Sequence, residues 1–323
     1  MGIFTKLTTD DIARLTANFP ALPRTTFKSQ GIALGTVNTY YRLCYKTGET
    51  YYLKIDEVAE ELRLKNEIRI FENLNAHVEH LSFTVPYPLE TAKGKKHVPF
   101  RKKFALILPE IKGASFFGKK LTPKRLALIG HAMAEWHNLP IDSRIHEHRF
   151  CLRGQKTVYK EIQSKLIRKH PKLCRFISDQ LVQLEKNAPQ REKLTLIHAD
   201  LFAENILWRN GHLNGILDLD AAGLGSPLFD IGVCLHALCH DGNRFHLEKI
   251  RAFLKGYFKH CAPSLNQKKY FKYYLNLSAM RFLLTRLRDF ELANRNAKVE
   301  PFKDYREYER RFEEITSLPI ELS

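Results

Sequence analysis

The sequence predicts an α+β fold in two lobes: a small β-rich lobe over residues 1–109 and a larger helical lobe over residues 110–323. Three observations predict it. β-prone runs flank Thr47-Gly48 in RLCYKTGETYYLKI. Helical periodicity dominates after Pro109. A short β-prone island, residues 194–219, interrupts those helices. The 323 residues suffice for about two domains. With 44% hydrophobic and 27% charged residues the composition is ordinary for a globular chain, which excludes a disordered or low-complexity protein.

In chain order, the first lobe opens with a helix near Thr9–Asn18. The hairpin Arg42–Ile55 follows, and then a helix near Val58–Asn75, where Leu62, Ile68, Phe71 and Leu74 recur at helical spacing. Strands are expected near Ser82–Leu89 and Phe104–Leu108. In the second lobe Thr122-Pro123 marks a helix start, Thr as cap and Pro at the first helical position. That helix runs to about His137. Further helices are expected at 156–187, 227–240, 244–259, 266–289 and 303–315.

Lys and Arg total 52 against 35 Asp and Glu, a formal charge of +17 that attracts anions. The charge clusters in Lys93–Lys103 and Lys165–Arg175, without a nucleic-acid-binding motif, and reads as solvated surface. Six cysteines without C-x-x-C spacing do not suggest a disulfide framework. Cys234, His236, Cys239 and His240 share a helical segment, but its apolar text favours packing over metal. No apolar run approaches the ~20 residues of a membrane helix. The N-terminal text lacks an apolar leader core. The chain reads as soluble and cytoplasmic.

The chemistry lies in the island LTLIHADLFAENILWRNGHLNGILDLDAAG. Asn210-Gly211 is a type I′ hairpin signal. A two-residue loop sets Arg209 opposite His212 and Asn205 opposite Ile216. Asp218 is then diagonal to Asn205 on the same face, Asp220 shares its parity, and Asp200 lies on the turn before. Carboxylates and a carboxamide together are hard ligands suited to Mg²⁺ beside substrate phosphates. Phosphoryl transfer needs this set: one carboxylate to orient the attacking hydroxyl, others with Asn to hold the metal. His198-x-Asp200-x-x-x-x-Asn205 has the order of a kinase catalytic loop, with Asp200 as base and Asn205 and Asp218 as metal ligands. Upstream, Lys54 ends a β-run and is placed to pair with phosphates. Glu67, in the next helix, is its expected partner, with Glu60 and Glu61 competing. The loop Gly31–Asn38, with Gly35, is placed to cover the phosphates. The stretch Leu108–Ile111 joins the lobes and offers backbone groups to an adenine. Gly113–Lys120 imitates a P-loop but lacks the terminal Ser or Thr.

These residues carry a resemblance. Across nearly its full length the chain resembles the aminoglycoside phosphotransferase-like kinases, through GIALGTVNTYYRL, LIHADLFAENIL and GSPLFDIGVCL. Among them it is most similar to the homoserine kinase branch, through MGIFTKLTTDDIARL, RFLLTRLRDF and KDYREYERRF. The resemblance implies a protein-kinase-like two-lobed fold, ATP and Mg²⁺, and phosphorylation of a small-molecule alcohol, L-homoserine in that branch. It also implies that Asp230 braces the catalytic loop. Ala199 stands where many members have Gly, and LDAAG stands where the branch tends to be aromatic. Homoserine carries an ammonium and a carboxylate. Asp220 is the candidate for the first, or for a second metal. Arg281, Arg286 or Arg288 is the candidate for the second. The alternative that stays open is another kinase of this type acting on a different small-molecule alcohol, such as choline, an aminoglycoside or a sugar; two readings from other classes explain less. A protein kinase needs more than the 12 positions between Asp218 and Asp230 for its activation loop. A nucleic-acid-binding protein leaves the Asp–Asn–Asp set unexplained.

Overall fold

Thr8 starts the first helix, α1 (Thr9–Thr16): its hydroxyl accepts the Asp11 N–H at 3.1 Å and the Asp11 carboxylate accepts the Thr8 N–H at 3.0 Å. This computed structural model describes residues 3–32, 37–190, 192–241, 244–260, 262–293 and 303–322. Ile12 and Leu15 of α1 pack on an antiparallel sheet built from β1 (Phe27–Ile32), β2 (Thr39–Tyr45), β3 (Thr50–Asp56), β4 (Val98–Phe100) and β5 (Lys103–Pro109). The strand order is β1-β2-β3-β5-β4. Side chains alternate across a strand. Leu53 and Ile55 therefore join Leu43, Ala105 and Ile107 in the α1-side core. Lys54, between them, points to the opposite face, towards α2 (Glu61–Ala76). The apolar side of α2 (Ile70, Phe71, Leu74) is continuous with the core of the second lobe.

The expected strand at Ser82–Leu89 does not form. Pro86 and Pro88 have no N–H to give to a ladder. Only Thr84 bridges to a neighbour: it donates to Asn214 O and accepts from Ile216 N, both at 3.0 Å. Leu89 N–H donates separately to Ile107 O at 2.8 Å.

The second lobe contains α3 (Pro123–His137), α4 (Leu152–Lys169) and α5 (Pro171–Lys186). The single helix expected over 156–187 is thus two. Pro171 cannot continue α4, and the chain turns at His170 (φ −139°, ψ 68°). Next come β6 (Thr195–Ile197), β7 (Ile206–Arg209), β8 (His212–Ile216), β9 (Gly223–Gly225), α6 (Pro227–Leu238), β10 (His240–Asp241), β11 (Arg244–Phe245), α7 (Leu247–Tyr257), α8 (Leu265–Arg286) and α9 (Arg306–Ser317). A π turn, Leu287–Glu291, ends α8. Helix α6 is buried almost all round. Its His236 donates from Nε2 to Leu275 O at 3.0 Å, and Cys234 is fully buried. Helices α3 and α7 touch backbone to backbone: a Cβ on Gly130 would meet Phe253 O at 2.2 Å, and one on Gly256 would meet Ala127 O at 2.0 Å. Among the described residues, no helix is long and apolar enough to cross a membrane.

The β7–β8 hairpin turns at Asn210 (φ 51°) and Gly211 (φ 81°), both left-handed as a type I′ turn demands. Arg209 lies opposite His212. The register then changes. Trp208 faces Leu213 but Leu207 faces Gly215, so Asn214 is an extra residue, a bulge. Its side chain donates to Lys112 O at 2.7 Å and its carbonyl accepts Thr84 N–H, which explains the detour. Ile206, not Asn205, therefore lies opposite Ile216, and sheet parity does not align Asn205 with Asp218.

Candidate active site

The site is hung on Asp230, in the first turn of α6. Its Oδ2 accepts the His198 N–H and its Oδ1 the Ala199 N–H, both at 2.8 Å; His137 Nε2 lies 3.0 Å from Oδ2. Burial opposes this charge, but His137 and His198, the latter through its ring and its amide, overcome it and hold the carboxyl below its ordinary range. Ala199 takes φ 61°, a left-handed turn. This costs an L-residue about 1 kcal/mol or more and swings Asp200 out of the β6 line. His198 Nδ1 accepts the Asp200 N–H at 3.3 Å, which leaves Nε2–H to donate to Leu217 O at 2.9 Å. The histidine thereby ties Asp200 to the segment that carries Asp218.

Asn205 donates from Nδ2 to Asp200 O at 3.0 Å, and its own carbonyl accepts Leu217 N–H at 2.8 Å. Asp200, Asn205 and Asp218 are thus joined by loop hydrogen bonds, not by the hairpin face. Asp218 is itself left-handed, at φ 65°. Solvent reaches it, yet surrounding protein desolvates its carboxyl and, with Asp220 and Asp200, raises it to about 6. Among the described residues no group of three or more His, Cys, Asp or Glu side chains is gathered to hold a metal by itself, so a divalent cation would rest on the oxygens of Asp218 and Asn205 together with substrate phosphates and water, the way Mg²⁺ is usually held.

Lys54 is 2% exposed. Its Nζ lies 2.6 Å from Glu67 Oε1 and 2.5 Å from Asp220 Oδ1. Burial works against the ammonium, but Asp220 and Glu67 outweigh it and keep the lysine well above its usual range. Two carboxylates sharing one cation part company: burial pushes Glu67 up, while Lys54 and Arg63 overcome burial to hold Asp220 down. Glu61 instead pairs with Lys65 at 2.6 Å.

Asp220 differs from the sequence expectation. It does not present a free carboxylate to an acceptor ammonium or a second metal. Its oxygens are committed to Lys54, to Asn38 Nδ2 and, at 3.8 Å, to Arg63. Asn38 and Arg63 are partners that sequence reasoning missed. The loop text GIALGTVN contained Asn38 but gave no reason to single it out.

Of the three arginines, Arg281 reaches the centre. Its Nη1 is 2.9 Å from Asp200 Oδ1. The guanidinium carbon lies 3.9 Å from the ring centroids of Phe150 and Phe282. Arg286 turns instead to Glu307 and Asp304, and Arg288 to Asp289. Two further residues went unseen in the sequence. Arg149 has its pKa lowered by desolvation first and then by Arg63, while Asp220 and Asp200 act the other way. Glu204, adjoining Asn205, has its carboxyl raised by desolvation and by Asp200. Neither belongs to a spaced motif. Leu108 lies in β5 opposite Tyr52, and Ile111 packs on Gly215 of the hairpin. Gly35 lies outside the described residues.

Comparisons with known proteins bear on the fold and the family. A homoserine kinase of Afipia carboxidovorans is 27% identical over 313 residues, covering 96% of this chain and 93% of that one. An amicoumacin kinase solved with AMP-PNP, Ca²⁺ and amicoumacin has a TM-score of 0.70 at 17% identity, over 97% of this chain and 95% of that one. A spectinomycin phosphotransferase solved with ADP and spectinomycin has 0.67 at 14%, over 97% and 99%. The two-lobed kinase fold is therefore shared along the whole chain. Residues 28–262, from the first strand through the catalytic loop and past α7, match one sequence family, and the chain belongs to it: the phosphotransferase enzyme family.

Proposed function

We propose that this phosphotransferase moves the γ-phosphoryl group of ATP to the hydroxyl of L-homoserine, giving O-phospho-L-homoserine, and works in the cytoplasm. The observation that carries the acceptor reading is Arg281, a buried guanidinium 2.9 Å from the candidate base Asp200. A fork fixed beside the base suits a hydroxyl acceptor that also carries a carboxylate. The likeness to homoserine kinases over 96% of the chain supports the same reading.

In this proposal Asp200 orients the hydroxyl and accepts its proton. Asn205 and Asp218 hold Mg²⁺, which neutralises charge on the phosphates. Lys54, steadied by Glu67, pairs with the phosphates. The backbone between Leu108 and Ile111 receives the adenine. With Asp220 committed to Lys54, Glu204 is the carboxylate left on the catalytic loop for the acceptor's ammonium.

The test is kcat/KM, read as ADP release and product phosphorus NMR, for L-homoserine, choline, an aminoglycoside and 3-aminopropan-1-ol. The last is homoserine without its carboxylate. Homoserine should exceed each other acceptor by about 10²-fold, because unpaired buried partners are costly. If choline or 3-aminopropan-1-ol equals it, the acceptor is not homoserine.

A further inference from the structure

Arg281 is the least ordinary charge in the second lobe. It sits in α8, 5% exposed, beside the buried Met280 and Phe282. Two aromatic faces hold the guanidinium plane, through Phe150 and Phe282. Its Nη1 is spent on Asp200 Oδ1, while Nε is buried with no partner among the described residues. A guanidinium offers five donors in a fixed fork, and a carboxylate fills two of them best. Here Asp200 meets the fork through Nη1 alone. Asp200 itself is 30% exposed and can turn away from the pair without leaving solvent. Arg281, pinned between rings, cannot follow it.

This is an arrangement for exchange. We propose that Arg281 is a latch on the base: without acceptor it occupies Asp200, and the acceptor's carboxylate takes its place on the guanidinium, freeing the Asp200 oxygen for the acceptor's hydroxyl. The inference rests on the homoserine reading and adds to it a role in timing. Once released, Asp200 accepts the hydroxyl proton as the acceptor oxygen bonds to the γ-phosphorus. The bond from that phosphorus to the β–γ bridging oxygen breaks, and ADP leaves with its electron pair. With Asp200 latched, water in the same place is a poor nucleophile, so ATP is spared. A merely structural arginine would hold Asp200 in place whether or not the acceptor had a carboxylate.

The two roles separate with a ligand that has the carboxylate but no hydroxyl. L-2-Aminobutyrate is homoserine without its oxygen, and propylamine lacks the carboxylate as well. In the wild-type enzyme, L-2-aminobutyrate should raise hydrolysis of ATP to ADP and inorganic phosphate several-fold, and propylamine should not. Calorimetry on nucleotide-free protein should show L-2-aminobutyrate binding, weakened about 30-fold or more in Arg281→Met, the size of a lost charge-assisted pair. The same variant should lower the kcat/KM ratio of homoserine over 3-aminopropan-1-ol by a similar factor, with Arg281→Lys intermediate. If Arg281→Met fails to fold, the wild-type hydrolysis and calorimetry still decide. Homoserine phosphorylation with no stimulation by L-2-aminobutyrate overturns the latch alone. So does an equal loss on both alcohols in Arg281→Met. No phosphorylation of homoserine by the wild-type enzyme overturns the acceptor reading, and the latch with it.

Discussion

Lys54 holds together the buried carboxylate of Glu67 and the largely buried one of Asp220, so its removal should be felt in folding as well as in turnover. Lys54→Met leaves Glu67 and Asp220 without their shared cation, a change of the kind that costs about 3–5 kcal/mol. Urea denaturation should show that loss, and Lys54→Met with Glu67→Gln should recover part of it. A single variant as stable as the wild type would mean the cluster is neutralised in some other way. At Asp200 the effect belongs to chemistry. Asp200→Asn should lower kcat by about 10²–10⁴ while nucleotide affinity stays within a few-fold; near-normal turnover would remove Asp200 from the role of base. These residues were legible because spacing along one chain encodes them: Asp200 to Asn205, Lys54 to Glu67. Asn38, Arg63, Arg149 and Glu204 were not. Asn38, Arg63 and Arg149 meet Asp220 from distant positions, Glu204 belongs to no spaced motif, and an isolated Asn or Arg resembles any surface residue. Asp220 was legible as a charge but not in its direction, because its direction depends on a lysine 166 positions away.

Helices α3 and α7 show what an element requires of a single position. Gly130 lets α3 reach the carbonyl of Phe253. Gly130→Ala puts a methyl where 2.2 Å is available, so the helices must part. Overpacking of this kind costs about 1–3 kcal/mol, which thermal unfolding should report as a lower Tm. An unchanged Tm would show that the crossing can widen freely. Elements announced by local chemistry were readable: the Thr122-Pro123 start, the Asn210-Gly211 turn and the flanks of Thr47-Gly48. Elements decided by one prohibited hydrogen bond were misread when the prolines went unweighted, at Pro86, Pro88 and Pro171. The bulge at Asn214 had no local signal. It exists because Thr84 and Lys112, far away in sequence, take up its backbone and side chain.

For the molecule as a whole, pH acts through buried groups that pull in opposite directions. Burial pushes His148 down to about 4 and His236 to about 3, against about 6.5 in an unfolded chain. The folded state therefore refuses protons that the unfolded state takes. Taken alone, these rings make stability fall as the pH drops from about 6.5 towards 4 and then 3, by up to about 1.4 kcal/mol per pH unit each. The raised carboxyls of Glu67 and Asp218 act the other way over the upper part of that window, so a comparison isolates the ring: between pH 7.5 and 4.5 urea midpoints should fall less for His236→Gln than for the wild type, and parallel profiles would contradict the burial of a neutral ring. The two-lobed architecture was legible because strand signals stop near Pro109 and helical ones take over. How the lobes meet was not, since it rests on contacts such as Lys54 with Asp220. That contact has a price beyond folding. Lys54 belongs to the first lobe and Asp220 to the second, so, on the proposal that Lys54 pairs with the phosphates, the resting protein already fills the place a phosphate would take. Nucleotide entry is then a competition between two anions for one ammonium. The apparent affinity equals the intrinsic affinity multiplied by the fraction of molecules in which Asp220 has let go. Occupancy by nucleotide is set as much by how readily the protein releases its own carboxylate as by how well it grips the phosphates.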